Sequence, residues 1–307
     1  MKNIDTDKIL EHLKATPKEA YKNMSASYEH GKTHIPSAET YMAYIAARFP
    51  ATFSATKEVL EKIKEEYDLP YPESTLDFGS GPGTATLALK EVFGEIFKST
   101  LIEKDPGFIE ISKLFFEKEE NCDWIEGDVL TPLLPKAEWC IASYSFCEIE
   151  PSKRSIFLEN ISNSATSLII LIEPGTPQGF QNILTARDYF IENNFFILMP
   201  CMHSLVCPIE KSSWCHFSKR LERSKIHKLT KSATLGFEDE KFSYIVVSKK
   251  PVEKIFHSRI ISSPKSHSGH VNFSLCSQNG EIETFTATKA KYPNFKELKK
   301  KDWGDAL

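Results

Sequence analysis

No stretch of this 307-residue chain approaches the roughly 18 consecutive apolar residues that a membrane span requires, so a bilayer-crossing helix is not expected. The first residues, Met1-Lys2-Asn3-Ile4-Asp5, lack the apolar core of a secretory leader. Asp5, Asp7 and Glu11 come too early for an acid-poor, Arg- and Ser-rich transit peptide, so none is expected. Without an export signal, the seven cysteines read as reduced thiols or metal ligands rather than disulfides. Tight cysteine pairs, two to four residues apart, are missing too, and with them the usual knuckle of a structural zinc site. No internal repeat or low-complexity segment is present.

Hydrophobic residues make up 41% of the sequence, enough for a substantial core, and the length suits one large domain with additions. The net charge of −4 conceals a division. Residues 1–210 carry 19 Lys and Arg against 32 Asp and Glu, a balance of −13, whereas residues 211–307 carry 19 against 10, a balance of +9. A basic half of this kind suits contact with nucleic acid, and a solvated lysine-rich surface is the plainer alternative.

Residues 4–16 and 37–68 have helical spacing. In the second stretch Tyr41, Tyr44, Ile45, Phe49, Val59, Leu60 and Ile63 recur at three- and four-residue steps, with Pro50 dividing it into two helices. Pro70 and Pro72 mark a linker. From Ser74 strand-like and helix-like segments alternate, with strands at 74–78, 99–103, 122–126, 138–144 and 167–173 and helices at 84–97 and 108–116. This alternation predicts an α/β fold built on a doubly wound, largely parallel sheet. A cysteine-bearing segment at 200–231 interrupts it, and 242–248 returns to strand character. Beyond Pro251, residues 270–275 and 282–287 alternate like strands around Asn279-Gly280, a hairpin turn signal. The predicted organisation is an N-terminal helical region over 1–70, a sheet domain over 71–251 with a Cys-rich basic insertion at 200–231, and a small C-terminal β appendage over 252–307.

The loop Asp77-Phe78-Gly79-Ser80-Gly81-Pro82-Gly83-Thr84 joins the first strand to its helix. Its glycines permit a tight turn and close approach of a ligand to backbone, and the helix start offers free N–H groups. A dinucleotide site prefers Gly or Ala where this chain has Thr84, and Asp77 before the loop disfavours a pyrophosphate and favours a ligand with a cationic amino acid group. Glu103, 20 positions after Gly83, ends the second strand, where a carboxylate holds ribose hydroxyls. Asp128, after the third strand, is placed to reach an adenine amino group. This set resembles the class I S-adenosylmethionine-dependent methyltransferases. The resemblance implies S-adenosylmethionine held by Asp77, Gly79, Ser80, Gly81, Gly83, Glu103, Asp128, Val129 and Ser143; a methyltransferase-like sheet that no longer binds cofactor is the alternative. No catalytic residue stands out. The segment Ser143-Tyr144-Ser145-Phe146-Cys147-Glu148 lacks the Asp/Asn-Pro-Pro-aromatic motif of amino-directed base methyltransferases. Cys140 lies in a strand and reads as core, and Cys147 has no neighbouring cation to activate its thiol.

The remaining signal is Cys201-x5-Cys207-x7-Cys215, with 60 residues between Cys215 and Cys276. This spacing is too loose for a zinc knuckle. Iron–sulfur clusters accept looser sets of four, and Cys207-Pro208 has the Cys-Pro step of ferredoxin-type ligation. His203 and His216 keep a mixed Cys/His zinc site open, and thiols without metal remain a third reading. Lys219, Arg220, Arg223, Lys225, Lys228 and Lys231 follow the third cysteine as a candidate phosphate-binding face, with a solvated helix face as the alternative.

Several segments together resemble the ribosomal small-subunit-associated, methyltransferase-like family of bacteria and mitochondria. They are Arg48-Phe49-Pro50-Ala51-Thr52, the 76–84 loop, Ile172-Glu173-Pro174-Gly175-Thr176-Pro177, Trp214-Cys215-His216-Phe217, Arg220-Leu221-Glu222-Arg223, 237–244, Gly269-His270-Val271 and Trp303-Gly304-Asp305. The resemblance implies a [4Fe–4S] cluster on Cys201, Cys207, Cys215 and Cys276, and binding to small-subunit rRNA and ribosomal proteins during assembly. It leaves methyl transfer itself open. Met202 departs from the family, which usually has Pro after the first cysteine. The expected protein is a monomer without membrane contact, cytoplasmic in a bacterium or in the mitochondrial matrix of a eukaryote. An active rRNA methyltransferase is one rival reading, and a small-molecule methyltransferase with a structural zinc is another.

Overall fold

The computed structural model describes residue 21 and residues 37–94, 97–116, 121–210 and 212–307. The helix expected at 4–16 lies outside the described residues. Two compact units form. The first runs to Glu61 and includes Pro70–Thr166 and Lys219–Glu240; the second comprises Lys62–Leu69, Ser167–Ser218 and Lys241–Leu307.

In the first unit, helix α1 (Ala38–Ala47) starts at Ser37, whose hydroxyl accepts the Thr40 N–H at 3.2 Å. Helix α2 (Phe49–Glu66) carries Pro50 in its first turn, where the missing N–H costs nothing, so the proline separates two helices as predicted. Four parallel strands follow: β1 (Ser74–Phe78), β2 (Lys98–Glu103), β3 (Cys122–Glu126) and β4 (Ala137–Ser143), in the order β3-β2-β1-β4. That order, with helices α3 (Thr84–Phe93), α4 (Pro106–Phe115) and α5 (Arg154–Ser164) between and after the strands, is the doubly wound pattern the sequence predicts. Leu76, Phe78, Leu101, Ile102, Cys140 and Ile141 are all buried, as strands covered on both faces must be. Met42, Ile45, Ala46 and Phe49 of the N-terminal helices join Leu87, Leu101 and Phe116 in one apolar cluster. Helix α3 stops at Phe93 rather than the predicted 97, because Gly94 takes a left-handed φ of +94° and ends the turn.

In the second unit the pairing is antiparallel, against the expectation of a largely parallel sheet. Strand β8 (Phe237–Ser248) runs against β5 (Ala165–Pro174) and against β6 (Phe196–Met199). Helix α6 (Pro177–Glu192) is capped by Thr176, which accepts the Gly179 N–H at 3.1 Å. Strand β7 (Phe217–Glu222) and helix α7 (Lys225–Lys231) follow the third cysteine, and from Lys219 to Glu240 the chain belongs to the first unit. The predicted β appendage forms as a separate sheet in which β11 (His270–Ser277) pairs with β9 (Ser258–Ile260), β10 (Lys265–Ser266) and β12 (Ile282–Thr288). Its hairpin turns at Asn279-Gly280, with Gly280 at φ +76°. Ile260, Val271, Phe273, Leu275 and Ala287 close its core with Phe295 of helix α8 (Phe295–Leu298).

One buried ion pair fastens the second unit. The Arg259 side chain, 1% exposed, donates from Nη2 to Glu66 Oε2 at 2.8 Å and from Nη1 to Glu66 Oε1. Its Nε donates to the Pro200 carbonyl at 3.1 Å and its Nη1 to that of Gly304 at 2.9 Å. The end of α2, the start of the cysteine segment, strand β9 and the C-terminal turn therefore meet on one guanidinium. Glu66→Ala leaves that cation buried without a counter-charge, and should cost about 3–5 kcal/mol in urea unfolding. A Glu66→Leu/Arg259→Met double variant should recover most of the loss. A single-variant cost below about 1 kcal/mol would show that the pair is not the fastening.

Candidate functional site

In the first unit the predicted cofactor residues lie at or just after the carboxyl ends of β1, β2, β3 and β4, and the three loop glycines divide by role. A Cβ at Gly79 would lie 2.8 Å from the Ser145 Cβ, and one at Gly83 would lie 2.6 Å from the Phe116 ring, so both glycines are demanded by the protein's own packing. Gly81 has φ +52°, and a Cβ there would meet nothing within 4 Å; its free side faces space that a ligand can enter. Ser80 is buried and its hydroxyl has no partner among the described residues. The Gly83 N–H donates to the Ser80 carbonyl at 2.9 Å, closing the turn.

Glu103 is aimed at this loop. Its carboxylate accepts the Gly81 N–H at 2.8 Å on one oxygen and the Lys104 and Asp105 N–H groups, each at 2.9 Å, on the other. Burial raises its pKa, opposed by those backbone bonds. Three acceptances leave lone-pair capacity for a hydroxyl donor. Asp128 is exposed and uses Oδ1 to accept the Leu130 N–H at 2.9 Å. Val129 is buried, with its carbonyl accepting from Asn160, and Ser143 bonds to Thr56 at 2.8 Å.

Asp77 stands differently from its expected role of facing a cationic ligand group. It is 2% exposed, and its Oδ2 accepts both the N–H and the hydroxyl of Thr86, at 3.1 and 2.8 Å, inside the first turn of α3. Burial pushes its carboxyl up to about 7 despite those bonds.

Two features escaped sequence reasoning. Tyr41 of α1 donates from its hydroxyl to Asp105 at 2.6 Å, and its ring occupies the space a Cβ at Gly107 would need. The glycine after Pro106 was the available signal. After β4, Tyr144 takes a left-handed φ of +59° and buries its ring under Arg48, 5.5 Å away, while its hydroxyl donates to Glu240 at 3.0 Å. Phe146 is fully buried as well. Cys140 is core, as expected, and Cys147 is half-buried with its Sγ 3.3 Å from the Tyr144 carbonyl.

The second unit brings Cys201, Cys207, Cys215 and Cys276 to the wall of one cavity of ≈ 40 Å³. None of the seven cysteines forms a disulfide. Register places Cys276 of β11 opposite Arg259, and the Ser243 hydroxyl fixes the Cys215 carbonyl at 2.8 Å. Burial, then the neighbouring Cys201 and Cys207, pushes the Cys276 thiol up to about 12. Cys215 rises well above its ordinary range for the same reasons, burial first and then the other three thiols. Burial first, and then neighbouring thiols, disfavour the ionised form of Cys207, Cys215 and Cys276, and a bound cation would relieve that penalty. His203 also lines the cavity, with Nε2 3.6 Å from the Cys276 sulfur and Nδ1 buried without a partner among the described residues. His216 does not line it: its ring stacks on Trp214 at 5.2 Å and meets Trp303 edge-on at 4.8 Å. Among the described residues, no three or more His, Cys, Asp or Glu side chains close on a point as one metal ion requires.

The six cations after Cys215 are largely committed. Lys219 pairs with Glu58, Arg220 with Asp239, and Arg223 and Lys231 with Glu238. Burial would raise the Glu238 carboxyl, but bonds from His227, Lys231 and Arg223 overcome it and hold the group far below its usual range. Among the described residues only Lys225 and Lys228 of that set carry no ion pair. The C-terminal segment, unremarked in sequence, exposes Lys289, Lys291, Lys296, Lys299 and Lys300.

A family described as mitochondrial small ribosomal subunit Rsm22 matches residues 38–307. The human mitochondrial ribosome assembly protein METTL17 is 23% identical over 317 residues, covering 96% of this chain and 66% of its own length. The Rsm22-cox11 tandem protein 2 of Schizosaccharomyces pombe, also mitochondrial, is 23% identical across 92% of this chain and 45% of its own. The chain thus spans only part of these relatives. An rRNA adenine N-6-methyltransferase of Bacillus licheniformis is 23% identical over 44% of the chain and 46% of its own length. Among solved structures, the magnesium protoporphyrin IX methyltransferase of Synechocystis with bound S-adenosylhomocysteine covers 80% of the chain and 100% of its own, at a TM-score of 0.45 and 9% identity.

The Asp77 geometry sets a pH dependence. A carboxyl at about 7 in the fold, against an ordinary 3.8, binds its proton more tightly when folded. Its stabilising contribution is complete below the ordinary value and is lost as pH rises towards 7. Asp77→Asn keeps an oxygen acceptor for Thr86 and removes the titration. Thermal unfolding between about pH 4 and 7 should show a stability decline in the native protein that the variant lacks; parallel profiles would refute the assignment.

Proposed function

The chain belongs to the mitochondrial small ribosomal subunit Rsm22 family, and from that membership we propose a methyltransferase-like assembly factor of the small ribosomal subunit. On this reading it binds S-adenosylmethionine, ligates a [4Fe–4S] cluster, and contacts small-subunit rRNA and ribosomal proteins. The observation that carries the reading is the cavity on which Cys201, Cys207, Cys215 and Cys276 converge from separate segments. A single ion needs donors that close on a point, whereas a cluster presents one iron to each of four thiolates and suits donors spread around a space. Bound there, the cluster would supply a one-electron centre and a clasp between the cysteine segment and β11.

The cofactor reading is supported by Gly81, open on its ligand side, and by Glu103, held against the loop with acceptor capacity to spare. Turnover has less support. Enzymes that modify a base stack the extruded ring on aromatic or apolar side chains. Tyr144 and Phe146, the aromatics directly after β4, are both buried, and Tyr144 is tied to Glu240. The resemblance to an rRNA adenine N-6-methyltransferase over part of the chain favours an active rRNA methyltransferase as the second reading. RNA contact is supported by Lys225 and Lys228 and, in the other unit, by the exposed C-terminal lysines. The mitochondrial designation of METTL17 and the tandem protein favours that compartment if the source is eukaryotic. No helix among the described residues is long and apolar enough to cross a membrane.

Protein purified anaerobically should be brown and hold four irons per chain, and it should co-sediment with small ribosomal subunits in a manner that weakens steeply with salt. Cys215→Ser should lower both iron content and co-sedimentation. A colourless wild-type protein holding stoichiometric zinc would sink the cluster assignment.

Calorimetry should detect S-adenosylmethionine binding, and Gly81→Ala should weaken it at least tenfold, about 1.4 kcal/mol. The new methyl enters the ligand's space without touching protein, and left-handed strain adds about 1–2 kcal/mol to the cost of folding. Absence of binding by the wild-type chain would leave a methyltransferase-like sheet with no cofactor.

A further inference from the structure

Two arginines are buried at the wall of the cysteine cavity, and among the described residues only one of them has a buried carboxylate partner. Arg259 is matched by Glu66. Arg187, on α6, is 3% exposed and shares its helix face with Ile183 and Leu184, which line the same cavity three and four residues earlier. Its Nη2 donates to the carbonyls of His203 and Leu205, at 3.1 and 2.6 Å. Both carbonyls lie between Cys201 and Cys207, so this one group shapes the loop that carries two of the four thiols. The acid nearest its guanidinium is Asp188, whose carboxylate stands 3.7 Å from Nη1 and is itself 67% exposed. Its Nε is buried and has no hydrogen-bond partner among the described residues.

A buried cation without a matching anion, carrying a buried donor without an acceptor, costs several kcal/mol unless something absent from the polypeptide supplies both. Four thiolates around a cluster do so. The assembled site is anionic, and its sulfurs accept hydrogen bonds that help set its reduction potential. Peptide carbonyls can satisfy Nη2, but they bring no net charge to offset the guanidinium.

We propose that Arg187 is the counter-ion of the cysteine site, with Nη2 holding the Cys201–Cys207 loop in shape and the Nε–H donating to a sulfur of the bound cluster. The proposal rests on the cluster reading above and extends it to a residue that is not itself a ligand. A fixed cation and an N–H donor both favour the more negative, reduced form, so removing them lowers the potential. Arg187 is a positioning residue, and its signature is a change in potential at unchanged iron content.

The test uses the full chain purified anaerobically, with iron and sulfide analysis, redox titration against mediators, and electron paramagnetic resonance of the reduced state. Arg187→Met should retain a cluster and shift its one-electron equilibrium about tenfold towards the oxidised form, 59 mV. Arg187→Lys keeps the charge and loses the Nε–H, and should fall between wild type and Arg187→Met. A wild-type chain without iron overturns the cluster reading and this proposal together. A wild-type cluster whose potential stays within twofold in equilibrium constant in Arg187→Met overturns the role of Arg187 alone. If Arg187→Met does not accumulate in folded form, the same unchanged equilibrium in Arg187→Lys overturns the Nε–H donation.

Discussion

The Arg259–Glu66 pair is the constraint on which the second unit depends. Burying a guanidinium and a carboxylate is expensive, and the expense is recovered only when geometry is tight and the remaining N–H groups find acceptors. Here they find the carbonyls of Pro200 and Gly304. The penalty for misplacing any one of these segments is therefore large, and that penalty specifies the arrangement. Register then carries the effect into the cavity, because Cys276 lies across from Arg259 on the neighbouring strand. One guanidinium thus touches the residue before Cys201 and lies opposite Cys276, tying together the two segments that carry the thiols.

Much of the first unit was legible because its signals are local. Strand, glycine turn and helix follow one another within 20 residues at 74–93, and parallel strands buried on both faces leave continuous apolar runs. The second unit was legible in its parts but not in its pairing. The strand at 242–248 was visible, yet its antiparallel direction between β5 and β6 depends on the path of residues 177–241, which no local pattern encodes. The expected start of that strand at 242 was five residues late: Glu238, Asp239 and Glu240 belong to it, and they are the charged partners of β7, α7 and Tyr144.

Site residues divided in the same way. Gly81, Glu103 and the four cysteines were singled out by type and spacing; in the structure the Gly81 N–H meets the Glu103 carboxylate, and the four cysteines line one cavity. Asp77 was read as a ligand-facing acid when it serves Thr86, because sequence order cannot say towards which neighbour a buried carboxylate turns. The basic run was counted as free charge when most of it is neutralised by acids from 58 and from 238–239. Charge balance along a chain predicts surface potential only where opposite charges have not already found one another.

The wide separation of the cysteines has a consequence for how the protein is made. Cys276 follows Cys201 by 75 positions, and bringing such distant points together carries a loop-closure cost that the intervening β8 and the appendage sheet must first offset. A site assembled this way cannot fill step by step as the chain leaves the ribosome. It comes into being only once β11 has been synthesised and paired, so on the cluster reading an occupied site certifies that the polypeptide was translated and folded through that strand.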